Sequence, residues 1–313
     1  MQNCYLPEGE YISNEENTRI CKDIFLLEQA KKEGKILEGR AVVCDKNMNL
    51  TVNLGGDVIG FIPKEEAVFS PDGSETKDIA VLTRVGKPVC FHVKDIITEN
   101  GRKKAILSRF SAQKECYENF LSTLNCGDII PCRITHTEHF GAFADIGCGM
   151  IALLPIDCIS VSRINHPNER FPVGTPLRCI IKQKDEQSKR IYISTKELFG
   201  TWEENCKMFT PGQTVSGIIR SVEEYGIFIE LAPNLAGLAE YSDGITPGTE
   251  AAVYIKSMNP EKMKIKLVIV SSLKEPTEKK EIRYFIHENE KHIDFWQYSP
   301  KESRKYISTV FGN

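Results

Sequence analysis

Two short stretches of the sequence place aromatic residues around a glycine at matching spacing. His139, Phe140 and Phe143 stand around Gly141 in HFGAFADIG, and Tyr225 and Phe228 around Gly226 in EYGIFIEL. Strand alternation along the first puts Ala142, Ala144 and Ile146 on one face, with Phe143 and Asp145 on the other. The second repeats it, with Ile227, Ile229 and Leu231 inward and Phe228 and Glu230 outward. A ring on an outward face can simply cover a barrel mouth or a neighbouring helix. It can also stack an unpaired base, worth about 1–3 kcal/mol per base. Nearby cations favour the second reading: Lys189 and Arg190 follow the first stretch, Lys262 and Lys264 follow the second, and Arg220 precedes it. Rings for bases and cations for phosphates make Phe140, Phe143, His139, Lys189, Arg190, Tyr225, Phe228, Arg220, Lys262 and Lys264 the expected nucleic-acid contacts.

Other chemistry finds little support. The sequence has 11 Cys and 6 His, but Cys132, His136 and His139 straddle a strand and its turn with no second ligand pair at zinc spacing. With no CxxC pair and an odd count, the cysteines read as buried thiols rather than disulfides. No Walker loop, strand-borne GxGxxG, GxSxG elbow or HExxH is present. The expectation is a protein that is not an enzyme and uses no cofactor or metal.

In 313 residues, 40 Lys plus Arg face 43 Asp plus Glu, a formal charge of −3, which fits a multidomain globular chain and excludes collagen-like, mucin-like and coiled-coil classes. The acidic balance argues against indiscriminate duplex binding, which depends on many phosphate contacts. No apolar run approaches the roughly 18 residues of a membrane span, and the acidic start MQNCYLPEGEYISNEE does not look like a signal peptide. The expected location is cytoplasmic, with no membrane partner.

A repeat positions these residues. LSRFSAQKECYENFLSTLNCGDIIP (107–131) runs in step with ISTKELFGTWEENCKMFTPGQTVS (193–216), matching Ser108 to Ser194, Tyr117 to Trp202 and Gly127 to Gly212. After each glycine come three short alternating strands and a closing hairpin, the strand count of a five-stranded OB-type barrel. A more diverged copy begins near Leu37, with Asn100-Gly101 as its closing turn and Arg102, Lys103 and Lys104 beside it. The expected fold is mainly β: three tandem five-stranded OB-fold barrels over 35–110, 126–196 and 211–272, with helical linkers over 111–125 and 197–210. The segment 1–34 should contain one helix over 14–33 capped by Asn14, and 273–313 a small α+β tail with a hairpin through IRYFIHENEKHIDFWQYSP and a helix near 301–308. Its aromatics Tyr284, Phe285, Phe295, Trp296 and Tyr298 are expected to pack, capping the third barrel.

The carriers HFGAFADIG with KRIYIS, EYGIFIELAPNLAGLAE with EKMKIKL, and the linker aromatics Tyr117 and Trp202 resemble the S1 RNA-binding domain family in the tandem arrangement of ribosomal protein S1. The resemblance spans about residues 35–272 and is weakest in the first copy, where Met48 and Thr51 occupy the two aromatic positions. It implies S1-type barrels, base stacking by Phe140, Phe143, Tyr225 and Phe228, and phosphate contact by Arg190 and Lys264. It also implies single-stranded RNA, above all mRNA, as ligand, a role in translation, and a ribosomal or other protein partner for residues 1–110. An adaptor in RNA decay, transcription or stress regulation, and a protein-interaction scaffold, stand as the alternatives.

Overall fold

The computed structural model describes residues 5–99, 101–273 and 282–311. The fold is mainly β, built on three five-stranded sheets, each closed on itself. The first contains β1 (Leu37–Cys44), β2 (Leu50–Asn53), β3 (Ile59–Ile62), β4 (Pro88–Glu99) and β5 (Arg102–Ser108). The second contains β6 (Ile129–Glu138), β7 (Gly141–Asp145), β8 (Ile151–Pro155), β9 (Pro176–Lys184) and β10 (Ile191–Ser194). The third contains β11 (Thr214–Glu223), β12 (Gly226–Ala232), β13 (Leu235–Ala239), β14 (Glu250–Asn259) and β15 (Lys264–Leu273). In each, the first three strands form an antiparallel meander, the fifth runs parallel to the third, and the fourth returns to the first. The first sheet's closing turn includes Asn100, which lies outside the described residues.

Strand crossings explain two repeated glycines. A Cβ on Gly39 would sit 2.6 Å from Val52 Cγ1, and one on Gly217 2.6 Å from Ile229 Cγ2. Both glycines let the first strand cross close over the second. The first strand of each sheet also carries a bulge at the same place, between Ala41 and Val43, Ile134 and His136, and Ile219 and Ser221. Inward residues form the cores: Ala142, Ala144 and Ile146 in the second barrel, and Ile227, Ile229 and Leu231 in the third.

The region expected as one helix is two, α1 (Glu15–Lys22) and α2 (Ile24–Glu33). Asn14 caps the first by accepting from Glu16 N and Asn17 N, and Asp23 breaks the run by capping the second. A short helix α3 (Asp78–Leu82) lies in the loop between β3 and β4. Helix α4 (Arg109–Cys116) joins the first barrel to the second, and α5 (Trp202–Cys206) the second to the third. Trp202 enters the third core, whereas Tyr117 stays half-buried against Phe69.

The tail differs from expectation. Residues 301–307 contain no helix, and the hairpin is replaced by β16 (Phe295–Gln297) pairing with the later β17 (Ser308–Val310). Nor does the tail cap only the third barrel. Trp296 and Tyr298 join the third core, while Phe311 packs with Ile129, Ile180 and Leu198, and Ile129 N donates to Lys291 O at 2.8 Å. The Lys- and Glu-rich stretch 274–281 lies outside the described residues. Among the described residues, no helix is long and apolar enough to cross a membrane.

Candidate nucleic-acid interface

The bulge in β6 decides which side chains join Phe143. Continued alternation would send His136 inward behind Cys132 and Ile134, but the extra residue turns it outward. His136 thus stands opposite Phe143, rings stacked at 6.1 Å between centroids. Across β7 and β8 Phe143 faces Leu153, and across β8 and β10 Leu153 faces Tyr192. The outer row of the second barrel is therefore His136, Phe143, Leu153 and Tyr192. Phe140, 57% exposed at the preceding turn, meets Phe143 edge to face at 6.0 Å.

The third barrel repeats the geometry. Its row is Ser221, Phe228, Leu238 and Lys266, and Tyr225, 71% exposed, meets Phe228 edge to face at 6.0 Å. In the first barrel the same row reads Val43, Thr51, Phe61 and Ile106, with Lys104 Nζ 4.1 Å above the Phe61 ring. Aromatic pairs thus belong to the second and third barrels, and an aliphatic-rich row to the first.

The cations divide. Arg190, Lys262 and Lys264 are exposed, as is Lys189, which lies 3.2 Å from Glu186. His139 is exposed beside Phe140 and meets the His166 ring edge to face at 5.0 Å. Arg220 is different: it is buried, with Nε 2.8 Å from Glu230 and Nη1 2.7 Å from Glu169. A guanidinium committed to two carboxylates is held away from an RNA backbone, which corrects the expected role of Arg220. The row residues His136, Leu153, Tyr192, Leu238 and Lys266 were missing from the expected set. Alternation in KRIYIS could have revealed Tyr192; nothing in the sequence marks the bulge that exposes His136. Cys132 is buried in the barrel while His136 is exposed, so they do not share a metal site.

Asp145 and Glu230 were expected on the outward face, and they do point away from the cores, yet both are buried at seams. Glu8, on the segment preceding α1, donates its N–H to Asp145 at 2.7 Å, and its carboxylate receives Arg109 Nε at 2.6 Å and Nη2 at 3.0 Å. Asp145 also accepts from Gly147 N and Gly149 N. Burial, then the neighbouring Glu8 charge, pushes its carboxyl up to about 7. At the other seam, Arg170 reaches Glu230 at 2.6 and 2.7 Å. Burial pushes the Glu230 carboxyl up, but Arg170 and Arg220 outweigh it and hold the group below the usual carboxylate range.

Residues 123–196 match the family model of the S1 RNA binding domain. The second barrel, which lies within that span, is similar to an S1 domain. The chain is also similar to the small ribosomal subunit protein bS1 of Staphylococcus aureus strain COL, 27% identical over 281 residues that cover 85% of this chain and 69% of that protein. The bS1 protein of Staphylococcus epidermidis is 27% identical over 283 residues with the same coverage. A solved multidomain protein with nucleic acid binding domains from Streptococcus pneumoniae covers 80% of this chain and 76% of its own at 15% identity. Its TM-score of 0.25 is too low to bear on the fold.

Proposed function

We propose that this chain binds single-stranded RNA, mRNA above all, in a translation role like that of its bS1 relatives, with all three barrels of S1 type over 35–110, 126–196 and 211–272. The observation that carries this reading is the aromatic pair that recurs at one place in the second and third barrels, beside exposed cations. Each pair offers aromatic surface against which a base can stack, and each stacked base is worth about 1–3 kcal/mol. Lys189 and Arg190 in one barrel, and Lys262, Lys264 and Lys266 in the other, supply the phosphate contacts. The affinity should fall with salt and favour unpaired strands over duplex.

The first barrel carries no such pair, and its row of Val43, Thr51, Phe61 and Ile106 favours a protein contact for residues 1–110, with the small ribosomal subunit as first candidate. Cosedimentation with that subunit separates the translation role from an adaptor role in decay, transcription or stress control.

The test is fluorescence anisotropy of an unpaired RNA oligonucleotide across a salt series. The wild type is compared with a folded variant carrying Phe140→Ala, Phe143→Ala, Tyr225→Ala and Phe228→Ala. Loss of binding in the variant supports the reading. Equal binding by both, or equal affinity for duplex RNA, refutes it.

A further inference from the structure

Part of the loop between β3 and β4 leans toward the second barrel. Phe69 N donates to Gln113 Oε1 on α4 at 3.0 Å, and the Phe69 ring meets Phe110 at 5.3 Å and Tyr117 at 5.8 Å. Between this loop, α4 and the β8–β10 side of the second barrel lies a cleft of about 340 Å³. Phe69 and Tyr117 line it with Arg84, while Lys189 and Arg190 reach it from the hairpin before β10.

Two independent features suit the cleft to a flat, anionic ligand. Arg84 lines the cleft as a cation whose ion pair with Glu8 is loose at 3.5 Å, and its Nε, like those of Arg133 and Arg170, has no hydrogen-bond partner. The cleft also adjoins the outer row described above: Tyr192 ends that row, and Arg190 lies two residues before it on the same hairpin. A strand stacked on Phe143 and crossing Tyr192 meets the cleft next. Asp72, exposed on the loop and within electrostatic reach of Arg190, is the acidic residue that lines the cleft, while Glu8 and Glu186 pair with Arg84 and Lys189 beside it.

We propose that the cleft between the first two barrels receives the nucleotide flanking the Phe143 platform, its base against Phe69 and Tyr117 and its phosphate among Arg84, Lys189 and Arg190. The proposal rests on the RNA-binding reading and extends it: the first barrel, without rings at Met48 and Thr51, contributes to RNA binding through its inserted loop. The same chemistry would suit a free mononucleotide, and the experiment distinguishes the two.

The probe is a labelled unpaired RNA of about a dozen nucleotides, within the length range a small barrel can engage. Its affinity is measured for the wild-type chain, Phe69→Ala, Asp72→Asn and Phe143→Ala, with adenosine monophosphate as competitor. Phe69→Ala should weaken binding about fivefold, the loss of one stacked base. Asp72→Asn, an exposed substitution that leaves the packing intact, should strengthen it. If Phe69→Ala fails to fold, Asp72→Asn decides, and unchanged affinity there overturns the proposal. Dependence on Phe143 but on neither Phe69 nor Asp72 overturns the proposal alone. Adenosine monophosphate bound through Phe69, with oligonucleotide affinity insensitive to Phe69→Ala, also overturns it, in favour of a free-nucleotide site. A wild type that binds no oligonucleotide overturns the RNA reading and this proposal together.

Discussion

His136 and Phe143 stack across the first two strands of the second barrel, with ring planes 23° apart and centroids 6.1 Å apart. The contact exists because a bulge between Ile134 and His136 reverses the side on which His136 emerges. It places a ring that alternation assigns to the core into the row that ends at Tyr192.

That row makes a prediction beyond the aromatic pairs. Tyr192→Ala should weaken unpaired RNA binding by about 1–3 kcal/mol, as for loss of one stacking ring. Lys266→Gln, at the same row position in the third barrel, should weaken binding less and reduce the slope of log affinity against log salt by about one. Anisotropy titrations at several salt concentrations read both.

Glu230 should matter for stability rather than for ligand contact. Glu230→Ala leaves Arg170 and Arg220 without their shared carboxylate at a buried seam, so unfolding free energy should fall by about 3–5 kcal/mol. Urea denaturation followed by circular dichroism measures the loss.

Glu230 also sets an acid limit. Its carboxyl titrates lower in the folded chain than in the unfolded one, so its contribution is present above about pH 4 and lost as pH falls through the depressed value. Glu230→Gln should remove the part of the acid-unfolding slope that belongs to this group. Thermal midpoints between pH 5 and pH 3 would show a shallower decline than wild type, at lower starting stability.

Asp145 has the opposite sign. Its folded value of about 7 stands above the unfolded one, so the folded chain holds an extra proton at mildly acidic pH. Stability from this group is full below about pH 4 and is lost as pH rises through about 7. The difference in thermal midpoint between wild type and Asp145→Asn should therefore change steadily from pH 5 to pH 8, with wild type losing ground as pH rises.

Removing the chain from residue 274 onward strips Trp296 and Tyr298 from the third core and Phe311 from its contacts with Ile129 and Ile180. Stability should drop by at least about 3–5 kcal/mol, the cost of deleting one large buried aromatic. Oligonucleotide affinity of the remaining folded protein should be unchanged, since no tail residue belongs to either aromatic row. A truncated protein that is as stable as the full chain would show the tail to be dispensable packing.

Features that depend only on neighbours along the chain are legible in the residues alone. Ala142, Ala144, Ile146, Ile227, Ile229 and Leu231 are inward because strand period two is local, and the glycine turns place Phe140 and Tyr225 next to Phe143 and Phe228 for the same reason. Asn14 announces its helix because a cap reaches only two or three residues. The tertiary structure decided what depends on distant partners or on a break in the period. Asp145 and Glu230 point away from their barrels as alternation requires, yet Glu8 and Arg170 arrive from far along the chain to bury them. Arg220 becomes a seam residue by the same encounter, and 301–307 stays non-helical because the chain there returns β17 to β16. Residue types specify which groups can stack, pair or cap, but whether water or another part of the chain meets them is settled only when the barrels, the leading segment and the tail close against one another.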